Sequence, residues 1–161
     1  MNTAEQFIKA KTARGGDEYD LYKDYDTIDG ELELEKYIEN HPKIIGDVYR
    51  GCTTDIINYE IDDIIFIPDI YSLSSFPSFT KNRLRAAIYM SDASLYSQED
   101  GIKKVMFHVK LHGFYCIEIS ELSIYPEETE CLFDENAMFR VLDVERKASY
   151  TLVTLEEYKK Q

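Results

Sequence analysis

The sequence predicts an α+β protein with mostly antiparallel sheets. Helical patterning gathers at the start of the chain, whereas short runs of β-branched and aromatic residues dominate from Ile44 onward, and helices followed by strands argue for this class. Composition agrees: 44% of the 161 residues are hydrophobic and 13% aromatic, which is enough apolar material for one buried core. A single domain over residues 1–161 is therefore expected, with a helical lobe over about 1–42 and a β-rich body over about 43–161.

Thr3 and Gln6 have the spacing of a capping box, which predicts a helix through about Ala13, broken by Gly15-Gly16. Tyr19, Leu21, Tyr22 and Tyr25 predict a further helical turn or two. A second helix is expected from Glu31 to roughly Glu39, with Leu32, Tyr37 and Ile38 near one face. His41-Pro42 ends it, because the residue before a proline is driven out of helical geometry. Strands are predicted at Ile44–Arg50, Ile64–Ile67, Val105–Val109, Tyr115–Ile119, Cys131–Phe133, Met138–Leu142 and Tyr150–Val153. Between the second and third of these, Leu84, Ala87 and Ile88 give Asn82–Met90 a helical pattern.

Lysine and arginine number 18 against 31 acidic residues, a net charge of −13, so the long-range field repels polyphosphates and anionic membranes. Nucleic-acid binding is disfavoured, and a basic protein partner is easier to accommodate. Acidic residues crowd the stretch from Asp17 through Glu35, where a solvated face accounts for most of them. Cys52, Cys116 and Cys131 are odd in number and show no CxxC spacing, so reduced thiols are expected, with no disulfide framework and no zinc site. Met1-Asn2-Thr3-Ala4-Glu5 lacks a basic segment leading into an apolar core, and no apolar run is long enough to span a bilayer. A monomer without membrane association, made in the cytoplasm, is expected, with leaderless export left open.

Four features could carry chemistry. Arg50 closes an apolar strand and precedes Gly51, where a ligand could approach the backbone; an arginine there can grip a phosphate bidentately, although one facing water at a strand end looks the same. Ser78 and Thr80 share a face if extended, and could orient a carboxylate or merely cap the following helix. Glu128 and Glu130, spaced two apart in a predicted strand, would share a face roughly 7 Å apart, an arrangement suited to a reaction needing two carboxylates but also to a polar strand edge. Tyr125 precedes them in a proline-containing turn, either exposed to a partner or anchoring the loop base. His108 and His112 lie four apart in a strand-like context and fall short of a metal pair, and neither GxxxxGK[ST] nor GxGxxG occurs.

The order of these features is more distinctive than any one of them. Val48-Tyr49-Arg50-Gly51, then Phe76-Pro77-Ser78-Phe79-Thr80 running into a helix, then Tyr125-Pro126-Glu127-Glu128-Thr129-Glu130-Cys131-Leu132-Phe133 resembles the Arg-Ser-Glu class of ADP-ribosyltransferases. These are the toxin-like, arginine-specific mono-ADP-ribosyltransferases, including bacterial exoenzymes and T-even bacteriophage enzymes that modify host proteins. The resemblance covers about Ile44 to Val141.

It implies a split NAD-binding fold of two antiparallel sheets packed at a steep angle, with helices around them. It also implies NAD as co-substrate, no metal, and a target protein, such as a host protein, as partner. Arg50 would bind the NAD phosphates and the Gly51 backbone the nicotinamide amide. Ser78 would hold the catalytic Glu130, with Thr80 as a second cofactor-binding position. Glu128 would select and activate an arginine acceptor, and Tyr125 would recognise the target. The resemblance departs from the family pattern at Phe79, where the motif has Thr, and at Thr80, where it has Ser. An inactive NAD- or target-binding module and a transferase acting on RNA remain the alternatives.

Overall fold

The computed structural model describes residues 3–12, 28–54, 58–70, 76–95 and 103–160. Gly15-Gly16, the Tyr19–Tyr25 segment, the acidic residues from Asp17 to Asp26 and the Ser72–Ser75 hydroxyls lie outside them. Among the described residues, three α-helices, α1 (Thr3–Thr12), α2 (Ile28–Asn40) and α3 (Arg83–Leu95), accompany eight strands. The strands are β1 (Ile45–Thr54), β2 (Ile64–Phe66), β3 (Phe79–Thr80), β4 (Lys103–His112), β5 (Cys116–Glu118), β6 (Glu130–Phe133), β7 (Met138–Arg146) and β8 (Thr151–Tyr158).

Hydrogen bonding runs through all eight strands in the order β2-β7-β8-β4-β1-β3-β6-β5, joining what the sequence reading expects as two separate sheets. Every pairing is antiparallel except β4 with β8, which run parallel. The join between the halves is narrow: β1 meets β3 at the single pair Tyr49 and Thr80. β3 is this short for local reasons. Pro77 has no N–H to add to a ladder, and Asn82 already caps α3, its Oδ1 accepting the N–H of Leu84 at 3.0 Å and of Arg85 at 3.3 Å.

β1 continues four residues past Arg50, so that arginine sits inside the strand rather than closing it. Cys52, Thr53 and Thr54 extend the ladder against Val105, Lys104 and Lys103 of β4, and the two threonines are β-branched residues that favour a strand. Arg50 is thereby held inside the β1–β4 ladder, opposite Phe107.

Three apolar clusters hold the layers. The central one packs Val48, Phe79, Phe107, Phe133 and Phe139, with Phe133 meeting both Phe79 and Phe139 edge to face at about 5 Å. A second joins Phe7 and Ile8 of α1 and Leu34 and Ile38 of α2 to Phe76, Ile117 and Leu132. A third, smaller cluster seats Ala86 and Met90 of α3 on Met106 of β4. The chain around Ser78 is thus pinned from both sides, by Phe76 in the helical cluster and by Phe79 in the central one.

Gly51 has a packing role that the sequence alone does not reveal. A Cβ built on it would fall 2.0 Å from the carbonyl oxygen of Ala86 and 2.8 Å from Met90 Cβ, so α3 lies directly on the bare backbone of β1. Because the nearest obstacle is helix backbone, Gly51→Ala should destabilise the protein at the upper end of overpacking costs, about 3 kcal/mol. A lowered urea midpoint without a change in slope is the expected result.

Candidate active site

Ser78 is the residue through which the site is connected. Its Oγ donates to Glu130 Oε2 at 2.9 Å, and its backbone carbonyl accepts from Arg50 Nη1 at 3.1 Å. The three predicted residues Arg50, Ser78 and Glu130, drawn from β1, the segment before β3 and the first position of β6, therefore converge. Ser78 is exposed, whereas Glu130 retains 7% of its accessible surface and Glu128 6%, so the carboxylates lie at the floor of the site rather than on an acidic rim.

Burial pulls the Arg50 guanidinium below the usual arginine value, with the neighbouring Cys52 acting in the opposite direction. The same burial raises the Cys52 thiol. Arg50 Nε is buried without a hydrogen-bond partner, and among the described residues no carboxylate pairs with this side chain. A desolvated guanidinium with one neutral acceptor and an unused donor suits a phosphate group, which accepts two parallel N–H bonds.

Glu128 does not share the strand with Glu130. Pro126–Glu128 form a 3-10 turn, in which the N–H of Glu128 donates to the Tyr125 carbonyl at 3.1 Å, and β6 begins only at Glu130. Between them Thr129 takes φ +46°, a left-handed conformation rare for a β-branched residue. Pro126 starts the turn because its fixed φ suits that position. The two-residue spacing thus encodes a turn entering a strand, and the extended repeat expected from the sequence is absent.

Thr80 works on backbone. Its Oγ1 donates to the Glu128 carbonyl at 2.6 Å, lies 3.3 Å from Thr129 Oγ1 and accepts from the Asn82 N–H at 3.0 Å. As a residue of β3 it pairs with Tyr49 on one side and Glu130 on the other. This hydroxyl fixes the turn that presents both glutamates, and its hydrogen bonds are spent on protein rather than directed at a ligand. Gly51 lies one residue beyond Arg50, its α-carbon covered by α3. Tyr125 is half-buried, its N–H donating to Ser123 Oγ at 3.1 Å.

The sequence reading misses a brace beside this turn. Lys81 forms an ion pair with Glu118, Ser120 Oγ donates to the same carboxylate, and the Lys81 N–H donates to the Thr129 carbonyl at 3.3 Å. Nothing local signals this group, because Lys81 and Glu118 meet only when β3 and β5 both pair with β6. His108 bonds Asp47 at 2.8 Å and His112 bonds Glu156 at 3.3 Å, so the two histidines are engaged separately.

No family model matches the chain. A protein of Vibrio splendidus (strain 12B01) assigned as an NAD(+)–arginine ADP-ribosyltransferase, Vis, is 31% identical over 122 residues, which cover 73% of this chain and 45% of that protein. The chain thus matches less than half the length of this curated relative. The crystal structure of Vis in complex with agmatine superimposes with a TM-score of 0.65 at 23% identity, covering 98% of this chain and 67% of that one. Plx2a, an ADP-ribosyltransferase toxin from Paenibacillus larvae, gives a TM-score of 0.63 at 12% identity, covering 99% of this chain and 87% of its own. The chain has the fold of the toxin-like ADP-ribosyltransferases. Within that fold the Arg50, Ser78 and Glu130 motifs meet at one place, as described above.

The brace makes a pH dependence measurable. The hydrogen bond from Lys81, seconded by that from Ser120, holds Glu118 below the usual carboxylate range, and Glu118 in turn raises the Lys81 ammonium. A depressed carboxylate contributes stability that is present above its unfolded pKa, about 4.3, and is lost as pH falls through the lower folded value. The Lys81 contribution is present below about pH 10.4 and is lost as pH rises through its raised value. The stability gap between wild type and Glu118→Gln should therefore shrink as pH is lowered through about 4. Urea midpoints measured across that range check it, and a gap independent of pH would refute the assignment.

Proposed function

We propose that this chain transfers ADP-ribose from NAD to an arginine of a target protein, releasing nicotinamide. The observation that carries this reading is the Ser78 bridge, which places an anion-ready arginine and a buried carboxylate at opposite ends of one residue. A dinucleotide co-substrate needs both. Its pyrophosphate calls for the desolvated Arg50 guanidinium, and its nicotinamide ribose for a carboxylate held in fixed orientation. The likeness to Vis, assigned as arginine-specific, supports the same reading, as does a Vis crystal structure containing agmatine, a small guanidine that resembles the arginine side chain.

In the reaction the bond between the ribose anomeric carbon and the nicotinamide nitrogen breaks, and its electron pair neutralises the pyridinium. Positive charge then builds on the ribose. Glu130, held by Ser78, would bond the ribose hydroxyl and stabilise that charge. Arg50 would hold the pyrophosphate, and the backbone at Gly51 the carboxamide. Glu128 would orient the acceptor guanidinium and take the proton it loses on attacking the anomeric carbon. Tyr125, at the entrance to the same turn, would contact the target. Thr80 acts in this scheme by positioning the glutamate turn.

Glu130→Gln keeps size and the Ser78 contact while removing charge, so transfer of labelled ADP-ribose to a protein mixture should fall about a hundredfold or more while NAD still binds. Unchanged transfer would overturn the catalytic role of Glu130. Glu128→Gln should abolish transfer to arginine yet leave NAD hydrolysis. Equal loss of both activities would show that the two glutamates do not divide the work. Mass spectrometry of the modified proteins identifies the acceptor residue.

A further inference from the structure

We propose a second anion-binding pocket at the end of the sheet, remote from Glu130, formed by Lys103 and Lys104 of β4 and by Arg146, Lys147, Ser149 and Tyr150 around the β7–β8 turn. Its ligand would be a compact phosphate-bearing molecule, such as a diphosphate or phosphomonoester. These residues line a cavity of about 320 Å³, at the small end of the range for ligand pockets.

The fold assembles the pocket. β4 runs parallel to β8 with Val105 facing Thr151, so Lys104 and Tyr150 stand one step earlier on neighbouring strands. Arg146 pairs with Thr151 across the hairpin, and the N–H of Lys147 donates to the Tyr150 carbonyl at 2.8 Å to close the turn. Lys147 also pairs with Glu145 at 3.4 Å, whereas Lys103, Lys104 and Arg146 have no carboxylate partner among the described residues. Among the described residues, four cations are thus brought together with one acidic neighbour, Glu145, in a chain of net charge −13.

The acidic background selects the size of the ligand. At physiological salt, charges more than about 8 Å away are largely screened, so an anion inside the pocket responds mainly to the four local cations. A long polyanion would extend onto acidic surface and be repelled, which favours a small phosphorylated ligand over nucleic acid. The pocket is also distinct from the Arg50 site. Arg50 faces Phe107, four residues along β4 from Lys103, roughly 13 Å at strand spacing.

Inorganic pyrophosphate titrated into the ¹⁵N-labelled protein tests this. Saturable amide shifts are expected at 103–104 and 146–151, and the pair of substitutions Lys104→Ser and Arg146→Ser should weaken that response roughly tenfold or more, leaving any separate shifts at Arg50 and Gly51 unchanged. Arg50→Ala should leave the hairpin response intact. Shifts confined to Arg50, or hairpin shifts insensitive to the paired substitution, would overturn the proposal. So would tighter binding of a single-stranded DNA oligonucleotide than of pyrophosphate at the same amides. A dispersed amide spectrum from the double variant establishes that loss of binding is not loss of fold.

Discussion

The site depends on a single row of backbone pairing, Tyr49 to Thr80 to Glu130, across three strands. β3 supplies only two residues to this row, yet among the described strands it is the one whose ladder joins the five-strand and three-strand parts of the sheet, helped by the Ile44 N–H donating to the Cys116 carbonyl at 2.9 Å. Arg50 follows Tyr49 and belongs to one part; Glu130 belongs to the other. Their separation is therefore set by main-chain hydrogen bonds, which vary little in length, and not by flexible side chains. Ser78 then spans the gap with one backbone and one side-chain contact. Side chains could not hold such a separation alone, because each long rotamer fixed costs entropy that a short row of amides avoids.

Because β3 is so short, its position has to come from packing. Phe79 enters the central cluster and Phe76 the helical one, so the Phe76–Thr80 segment is fastened to both layers while Ser78 stays exposed between them. β6 repeats the device: Cys131 and Phe133 face the central cluster and Leu132 the helical one. α1 and α2, although distant in sequence from any motif residue, thereby support the serine and the glutamate strand through Phe7, Ile8, Leu34 and Ile38. α3 performs the equivalent service for Arg50, resting on β1 where Gly51 leaves room.

Much of this was legible in the sequence because it is local. Apolar periodicity marks α1 and most of α2, though α2 begins at Ile28 rather than Glu31, and runs of β-branched and aromatic residues mark the strands. The order of Arg50, Ser78 and Glu130 carries the resemblance that implies a shared site. What the sequence hid is set at long range or by backbone geometry. The parallel pairing of β4 with β8 depends on which edge is left after β7 and β8 form their hairpin. The turn at Glu128 depends on Thr129 accepting a left-handed conformation, which residue type argues against. The packing role of Gly51, whose missing side chain admits α3, has no local signal either. Lys81 and Glu118 look like ordinary surface charges until β3 and β5 pair on either side of β6 and bring them together.

The electrostatics of Arg50 show why its immediate surroundings remain incomplete. A half-buried guanidinium whose buried Nε is idle loses hydration there without full compensation, a cost of about 1–3 kcal/mol for an unsatisfied donor. A carboxylate beside it would remove that cost, and Glu130 is only one residue's contacts away. The serine stands between them instead, offering Arg50 a neutral carbonyl and Glu130 a hydroxyl. Were the two charges paired directly, each would be neutralised by the other, and a pyrophosphate would have to displace a carboxylate before it could bind. Kept apart by Ser78, the cation stays available to an anion and the carboxylate to a developing cation. In the proposed reaction, the stability forgone at Arg50 is the physical condition for both roles to coexist at one site.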